Sequence, residues 1–291
     1  MNAKAIVLVR REFWEHRALW LVPLVVAALY LLICLIPGNN LHIGGIDLND
    51  NSRSFGPGRP VEVFAVVQSL FTGMLLSVTS LVTFFYLSDC LYAERKDRSI
   101  LFWKSLPVSD AETVLSKLLV ALLLVPLGVY LLALVTNVVA FGLLYVRFHN
   151  NALMQHFLVW DTGVWLRLNL YLVLDVVIVG LWFAPVAAYQ LLISAWAKSS
   201  VFVWTILPPL LLILAERLAF GTYRIASVIA YRLGTGLLDG DAGAGHVGVE
   251  SVIARVNLLP VLARVDLWVG VAIAVALVFA TIRIRRYRDD T

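Results

Sequence analysis

Few residues in this chain have the type and spacing to do chemistry. His149 and His156 stand seven apart in "RFHNNALMQH" and can share a helix face. A metal site takes at least three protein donors, and no third lies nearby. Asp175, in "YLVLDVVIVGLWF", is a carboxylate set deep in a long apolar run. An acid at the bilayer centre costs about 2.5–3.5 kcal/mol, so it faces the protein interior or a cavity. Both a structural hydrogen bond to a polar group on a neighbouring helix and a role in a solute path or in conformational coupling fit it. "GAGHVG", Gly243 to Gly248, matches G-x-G-x-x-G but lacks the strand–turn–helix frame that dinucleotide binding needs. The five lysines follow Ala3, Arg95, Trp103, Ser116 and Ala197, so none belongs to a Gly-Lys-[Ser/Thr] phosphate loop. Neither a Ser/His/Asp nor a Cys/His arrangement is legible. The chain reads as non-catalytic, with no metal site and no catalytic residue.

The elements that must carry these residues are membrane spans. Of 291 residues, 61% are hydrophobic and 14% charged, against roughly 45–50% and ~25% in soluble domains. About 20 apolar residues cross a bilayer as a helix. Six segments qualify, at about 18–37, 61–88, 111–146, 165–197, 201–219 and 265–284. The formal charge of +4 suits cytoplasmic loops rich in Lys and Arg and is not read as nucleic-acid binding.

Fourteen of the 23 Lys and Arg residues fall on the face shared by residues 1–17, the 89–117 loop, Lys198 and the tail; the other nine spread over longer connections. By the density of positive charge in short loops, both termini are cytoplasmic and the chain is a multi-pass protein of the cell membrane. Cys34 and Cys90 then lie near opposite faces and do not pair.

The first 17 residues precede an apolar core too long for a signal peptide, and no small-residue cleavage site follows it. It reads as a retained first span. The lead-in places Ile6, Val9 and Phe13 on one face and Lys4, Arg11 and Glu15 on another. That pattern suits a helix lying in the inner interface, or a plain extension of the first span.

Ser69, Gly73, Ser77 and Ser80 recur along one face of the second span. Small residues at that spacing allow close packing of helices or subunits, or a polar lining of a transport path. Pro126, Pro185 and Pro208-Pro209 predict kinks in the third, fourth and fifth spans. Between the last two spans, residues 220–264 hold two semi-apolar pieces, about 221–233 and 249–262. Each is too short to span, and they fit amphipathic or re-entrant helices.

The stretch "ERKDRSILFWKSLPVSD", residues 94–110, is the most distinctive in the chain. Leu106-Pro107 ends a helical piece. Ser109 with Glu112 forms an S-x-x-E capping box that starts the third span at about Asp110. A short cytoplasmic helix from about Arg98 to Leu106 is therefore predicted, bearing Phe102, Trp103 and Leu106. Such a helix fits an interfacial aromatic belt or a protein hot spot.

Glu94-Arg95, then Asp97-Arg98-Ser99, an apolar run with Leu101, then Ser105-Leu106-Pro107-Val108-Ser109, with Lys117 beyond, resembles the permeases of the type-2 ABC transporter family. The family usually has Gly-Thr where this chain has Arg98-Ser99, and Phe102-Trp103 is bulkier than usual. The resemblance implies an all-α integral membrane fold. It would have six transmembrane helices, an N-terminal interfacial helix, a short cytoplasmic coupling helix between spans two and three, and a re-entrant outer segment before the last span.

It also implies that a separate cytoplasmic ABC ATPase docks at 94–110, through Glu94, Arg95, Asp97, Arg98, Leu101, Phe102, Trp103, Lys104, Leu106 and Pro107. ATP and Mg would sit on that ATPase, with no cofactor on this chain. A second permease subunit, identical or paralogous, would complete an exporter, with Asp175, Ser69, Gly73 and Ser77 as candidates for the path or its packing. The scarcity of charge within the spans favours an apolar or amphipathic cargo. The competing classes are an ATPase-independent membrane enzyme or scaffold, and a permease-like subunit that does not transport.

Overall fold

The computed structural model describes residues 3–35, 42–43, 46–47, 60–97, 108–148, 160–235 and 258–287. The regular structure of the described residues is helical, apart from a short antiparallel ladder that pairs His42 with Asp47 and Ile43 with Ile46. Six of its helices are long and apolar enough to cross a membrane. It is a multi-pass membrane protein.

A short helix, α1 (Ala3–Glu15), turns at His16-Arg17 into the first span, α2 (Ala18–Leu35). The second span is α3 (Pro60–Lys96). The third, α4, consists of Asp110–Leu119, one π turn at Val120–Leu124, and Val125–Phe148. The fourth and fifth are α5 (Thr162–Trp196) and α6 (Val201–Phe220). A short helix α7 (Arg224–Ala230) runs into a π turn at Tyr231–Thr235. A 3-10 turn (Leu259–Ala263) leads into the last span, α8 (Val265–Tyr287).

α5 is the central helix and packs most extensively on α8 and α3. Its Gly180, Trp182, Ala184, Ala187, Ala188 and Leu191 are buried, and small residues at this spacing let neighbouring spans close in. The largest apolar core joins α2, α3, α4, α5 and α8.

Local chemistry sets the helix boundaries. Asp161 caps α5: its Oδ1 accepts from the N–H of Gly163 at 2.8 Å and Val164 at 3.0 Å, satisfying orphan donors of the first turn. The predicted capping box is present at α4. The Ser109 hydroxyl accepts from Glu112 N–H at 3.1 Å, and the Glu112 carboxylate accepts from Ser109 N–H at 2.7 Å. α3 outlasts its expected end at residue 88 by eight residues, because Ser88, Cys90, Leu91 and Glu94 are buried against the bundle.

The π turn in α4 has a visible cause. Pro126 has no N–H to give Leu122, which would be its helical acceptor, and Val125 N–H reaches back five residues to Val120 O. A Cβ built at Gly180 would lie 2.7 Å from the Leu122 carbonyl oxygen. The glycine therefore lets α5 close onto the disrupted turn. Helical structure runs unbroken through Pro185 and Pro208-Pro209.

α2 and α4 are unequal neighbours. Arg147 donates to the Cys34 carbonyl at 2.9 Å near one end of α2, while Leu19 and Trp20 share a groove with Gly128 and Leu132 at the other. The 18 residues of α2 rise about 27 Å, close to the ~30 Å hydrocarbon layer. The 38 residues from Asp110 to Arg147 rise about 57 Å. The Asp110 end of α4 therefore projects beyond the start of α2 and carries its ionisable groups past the apolar layer.

Candidate functional site

That projecting base holds a buried network of charge. Lys117, fully buried, places Nζ 2.8 and 2.9 Å from the two carboxylate oxygens of Glu12 and 3.1 Å from Glu94 Oε1. Tyr86 donates its hydroxyl to Glu12 at 2.8 Å. Arg11 donates to Glu94 at 2.8 Å and to Glu15 at 2.7 Å. Arg285, on the last span, donates Nη1 to Glu94 at 2.7 Å and Nε to Asp110 at 3.0 Å. Glu94 thus meets three cations, and α1, α3, α4 and α8 are joined through side chains of opposite charge. Such a cluster is expensive to desolvate and tolerable only when every lone pair is met, and breaking one partner is costly.

α1 is built for this contact. Leu8 and Glu12 are buried while Ile6, Val7 and Trp14 are exposed, so its most polar group points into the protein. Sequence periodicity grouped Arg11 with Lys4 and Glu15 on the face away from Ile6, Val9 and Phe13; in the structure Arg11 turns towards Glu94. Burial works against the Arg11 charge, but Glu15 and Glu94 outweigh it and raise its pKa. His16, edge-on to Tyr86 with centroids 4.8 Å apart, has its pKa lowered, chiefly by burial. Glu12, Glu15 and His16 converge as a metal triad would. Glu12 is engaged by Lys117 and Tyr86, and Glu15 by Arg11, which makes the group a node of the ion network.

The network brackets the 94–110 stretch. Glu94 precedes it, Asp110 ends it, and one guanidinium, that of Arg285, bonds both. Lys117, counted with the loop from sequence, lies inside α4 and is its most buried cation. Arg95 turns away from Glu94 and donates to the Ser194 and Ala197 carbonyls at 2.8 and 2.7 Å. It so caps the C-terminus of α5, where the helix dipole favours a cation. The Ser194 hydroxyl accepts from the N–H of Leu91 and Tyr92 at 3.1 Å, pinning α3 to α5. Asp97 is exposed. Arg98, Leu101, Phe102, Trp103, Lys104, Leu106 and Pro107 lie outside the described residues, as do His149, His156 and the GAGHVG stretch.

Away from the ion network, inside the fourth span, Asp175 accepts the N–H of Leu258 at 3.0 Å. It thereby fixes the start of the 3-10 turn whose Val261 packs with Ile178, Trp182 and Leu267. The partner is a backbone amide 83 residues on, where sequence had suggested a polar side chain. Trp182 Nε1 donates to the Arg232 carbonyl at 2.9 Å, and the Arg232 guanidinium lies over the Trp182 ring at 4.4 Å. A Cβ at Gly270 would overlap that guanidinium. Glu216 accepts from Thr222 at 2.6 Å and from Arg224 and Ile225 N–H at 2.7 Å, which starts α7. The described parts of 220–264 are thus fastened to α5, α6 and α8.

Farther still from the ion network, six residues before Asp175 on α5, lies a polar layer that sequence reading missed. Gln68 and Tyr130 donate to Asn169 Oδ1 at 3.0 and 2.9 Å, tying α3, α4 and α5 together. Single polar residues in apolar spans mark such layers, but their pairing depends on helix rotation.

Gly73, Ser77 and Ser80 are exposed, no atom lies within 4 Å of a Cβ at Gly73, and the Ser69, Ser77 and Ser80 hydroxyls donate to their own helix. This face packs against no other helix of the described chain. No protein-family model, curated protein or solved structure matches the chain.

Proposed function

We propose that this chain is the membrane-spanning permease subunit of an ABC transporter, an exporter driven by a separate ATPase that docks on the loop between the second and third spans. The observation that carries this reading is the Arg285 bridge: Glu94 and Asp110, the two flanks of that loop, are held 2.7 and 3.0 Å from one guanidinium. With Lys117 and Arg11, the clamp makes the base of the loop one rigid body with α1, α3, α4 and α8. A push on the loop then moves spans rather than bending a tether. A loop serving only as a connection or a lipid anchor has no need of a buried ionic footing of this kind, which is costly to assemble.

In this reading the short helix of residues 98–106 inserts Leu101, Trp103 and Leu106 into the ATPase, with Phe102, Arg98, Lys104 and Pro107 around them. Both termini and the loop are cytoplasmic, and α1 lies along the inner face of the cell membrane. The Asp175-anchored outer segment closes the far side. Two copies, or this chain and a paralogue, meet across the exposed Gly73–Ser80 face, and ATP and Mg reside on the ATPase.

The test is purification from native membranes of the wild type and of the Leu101→Asp, Trp103→Asp, Leu106→Asp triple variant. The wild type should bring down a Walker-A ATPase in near-equal amount, with ATP hydrolysis. The variant should insert normally and lose it. Retention of the ATPase at full stoichiometry by the variant, or an active wild type with no ATPase, defeats the reading. The second outcome turns it to an ATPase-independent membrane protein.

A further inference from the structure

We infer that the elbow between α1 and α2 binds one anionic phospholipid, with an acyl chain in a lateral groove and its phosphate on Arg17 and Arg10. The groove has a volume of about 230 Å³ and is walled by Phe13 of α1, Trp20 and Pro23 of α2, and Val125, Gly128 and Leu132 of α4. Its origin is structural. The π turn displaces α4 just before Pro126, and Gly128 has no side chain to fill the gap, with open space where its Cβ would stand. The walls are apolar, and the level is that of the first turns of a membrane span, where lipid is the surrounding solvent. An apolar cleft open sideways at that level is filled by an acyl chain.

The headgroup is specified by charge. Arg10 comes three residues before the groove-lining Phe13 on α1, and Arg17, at the elbow, accepts the N–H of the groove-lining Trp20 on its carbonyl at 3.3 Å. Arg10 and Arg17 are exposed, and both lie outside the ion network that engages Arg11. Arg10 lies over the exposed Trp14 ring at 5.4 Å. Trp20, half exposed, donates Nε1 to the Phe13 carbonyl at 3.3 Å and so closes the elbow beside the cleft. Two exposed cations, one three residues before Phe13 and one three before Trp20, are complementary to a phosphodiester above an acyl chain in the cleft that these two aromatic rings line. Tryptophan is enriched at this depth of a membrane, and cations near anionic lipid gain about fivefold in affinity each. The inference rests on the membrane embedding of α2 and α4 and is independent of the transport reading.

Native mass spectrometry of the full chain in a neutral detergent tests it, with dioleoyl-phosphatidylglycerol and dioleoyl-phosphatidylcholine titrated separately. The wild type should retain one phosphatidylglycerol with a preference of roughly twenty-five-fold over phosphatidylcholine, from two cations at about fivefold each. Arg10→Gln with Arg17→Gln should abolish the preference, and Arg17→Lys should preserve it. Gly128→Leu, or Leu132→Trp if that variant melts early, should cut retention of both lipids by filling the cleft. Equal retention of the two lipids by the wild type overturns the headgroup assignment. Unchanged retention in the filled-cleft variants overturns the chain site, as does full displacement of the lipid by glycerol 3-phosphate.

Discussion

Replacing Lys117 by Met tests whether the charge network is the structural footing of the bundle. The change keeps the length of the side chain and removes three bonds at once: two to Glu12, at 2.8 and 2.9 Å, and one to Glu94 at 3.1 Å. Glu94 keeps Arg11 and Arg285. Glu12, only 1% exposed, is left with the Tyr86 hydroxyl as its sole remaining donor among the described residues. An orphaned buried charge of this kind costs about 3–5 kcal/mol. At roughly 2–4 °C per kcal/mol for a chain of this size, the melting temperature should fall by about 6–20 °C. Adding Glu12→Gln removes the stranded charge, so the double variant should recover part of the loss and deviate from additivity by about 1–3 kcal/mol. Tryptophan-fluorescence melts of the four proteins in lipid nanodiscs measure both quantities. A Lys117→Met melt within about 2 °C of wild type, or strict additivity, would refute the reasoning, because either means that Glu12 finds water once the lysine is gone.

Gly180→Ala should destabilise by about 1–3 kcal/mol through overpacking against the Leu122 carbonyl, where a mid-helix Gly→Ala change ordinarily gains about 1 kcal/mol; a raised melting temperature would contradict the close approach. Asp175→Asn keeps an acceptor for Leu258 N–H and should be mild. Asp175→Leu orphans that amide at a cost of about 1–3 kcal/mol, and hydrogen exchange at residues 258–263 should rise for Leu alone. His16 gives a pH signature. Its pKa is lower in the folded protein than the usual 6.5, so below that pH the unfolded chain takes up the extra proton. Stability is then full above about pH 6.5 and declines as the pH falls below it. His16→Gln should flatten that decline in melts between pH 7.5 and 5.5, and an unchanged slope would count against it.

The spans were legible because about 20 apolar residues leave little choice of structure, and the start of α4 because a capping box is local chemistry. Asp175 announced itself by its cost in an apolar run, but its partner did not, since a backbone amide 83 residues away carries no sequence signal. The network was hidden for a different reason. Arg11, Glu12 and Glu15 on a short amphipathic helix look like an ordinary solvated face, and Lys117 looks like the end of a basic loop. Their inward direction is set by the rotation of four helices about one another, which periodicity along one helix does not encode. A lysine seven residues into a capped helix, amid Val114, Leu118 and Ala121, was the available hint.

The Arg285 clamp also sets an order of assembly. Its guanidinium follows Glu94 by 191 residues and Asp110 by 175, so at a synthesis rate of about 5–20 residues per second the flanks of the loop wait on the order of ten seconds or more. During that interval Glu94 and Asp110 both lack the arginine that joins them. The loop between the second and third spans gains its firm base only when the last span has entered the membrane. A chain interrupted before α8 carries Glu94 and Asp110 without the guanidinium that joins them.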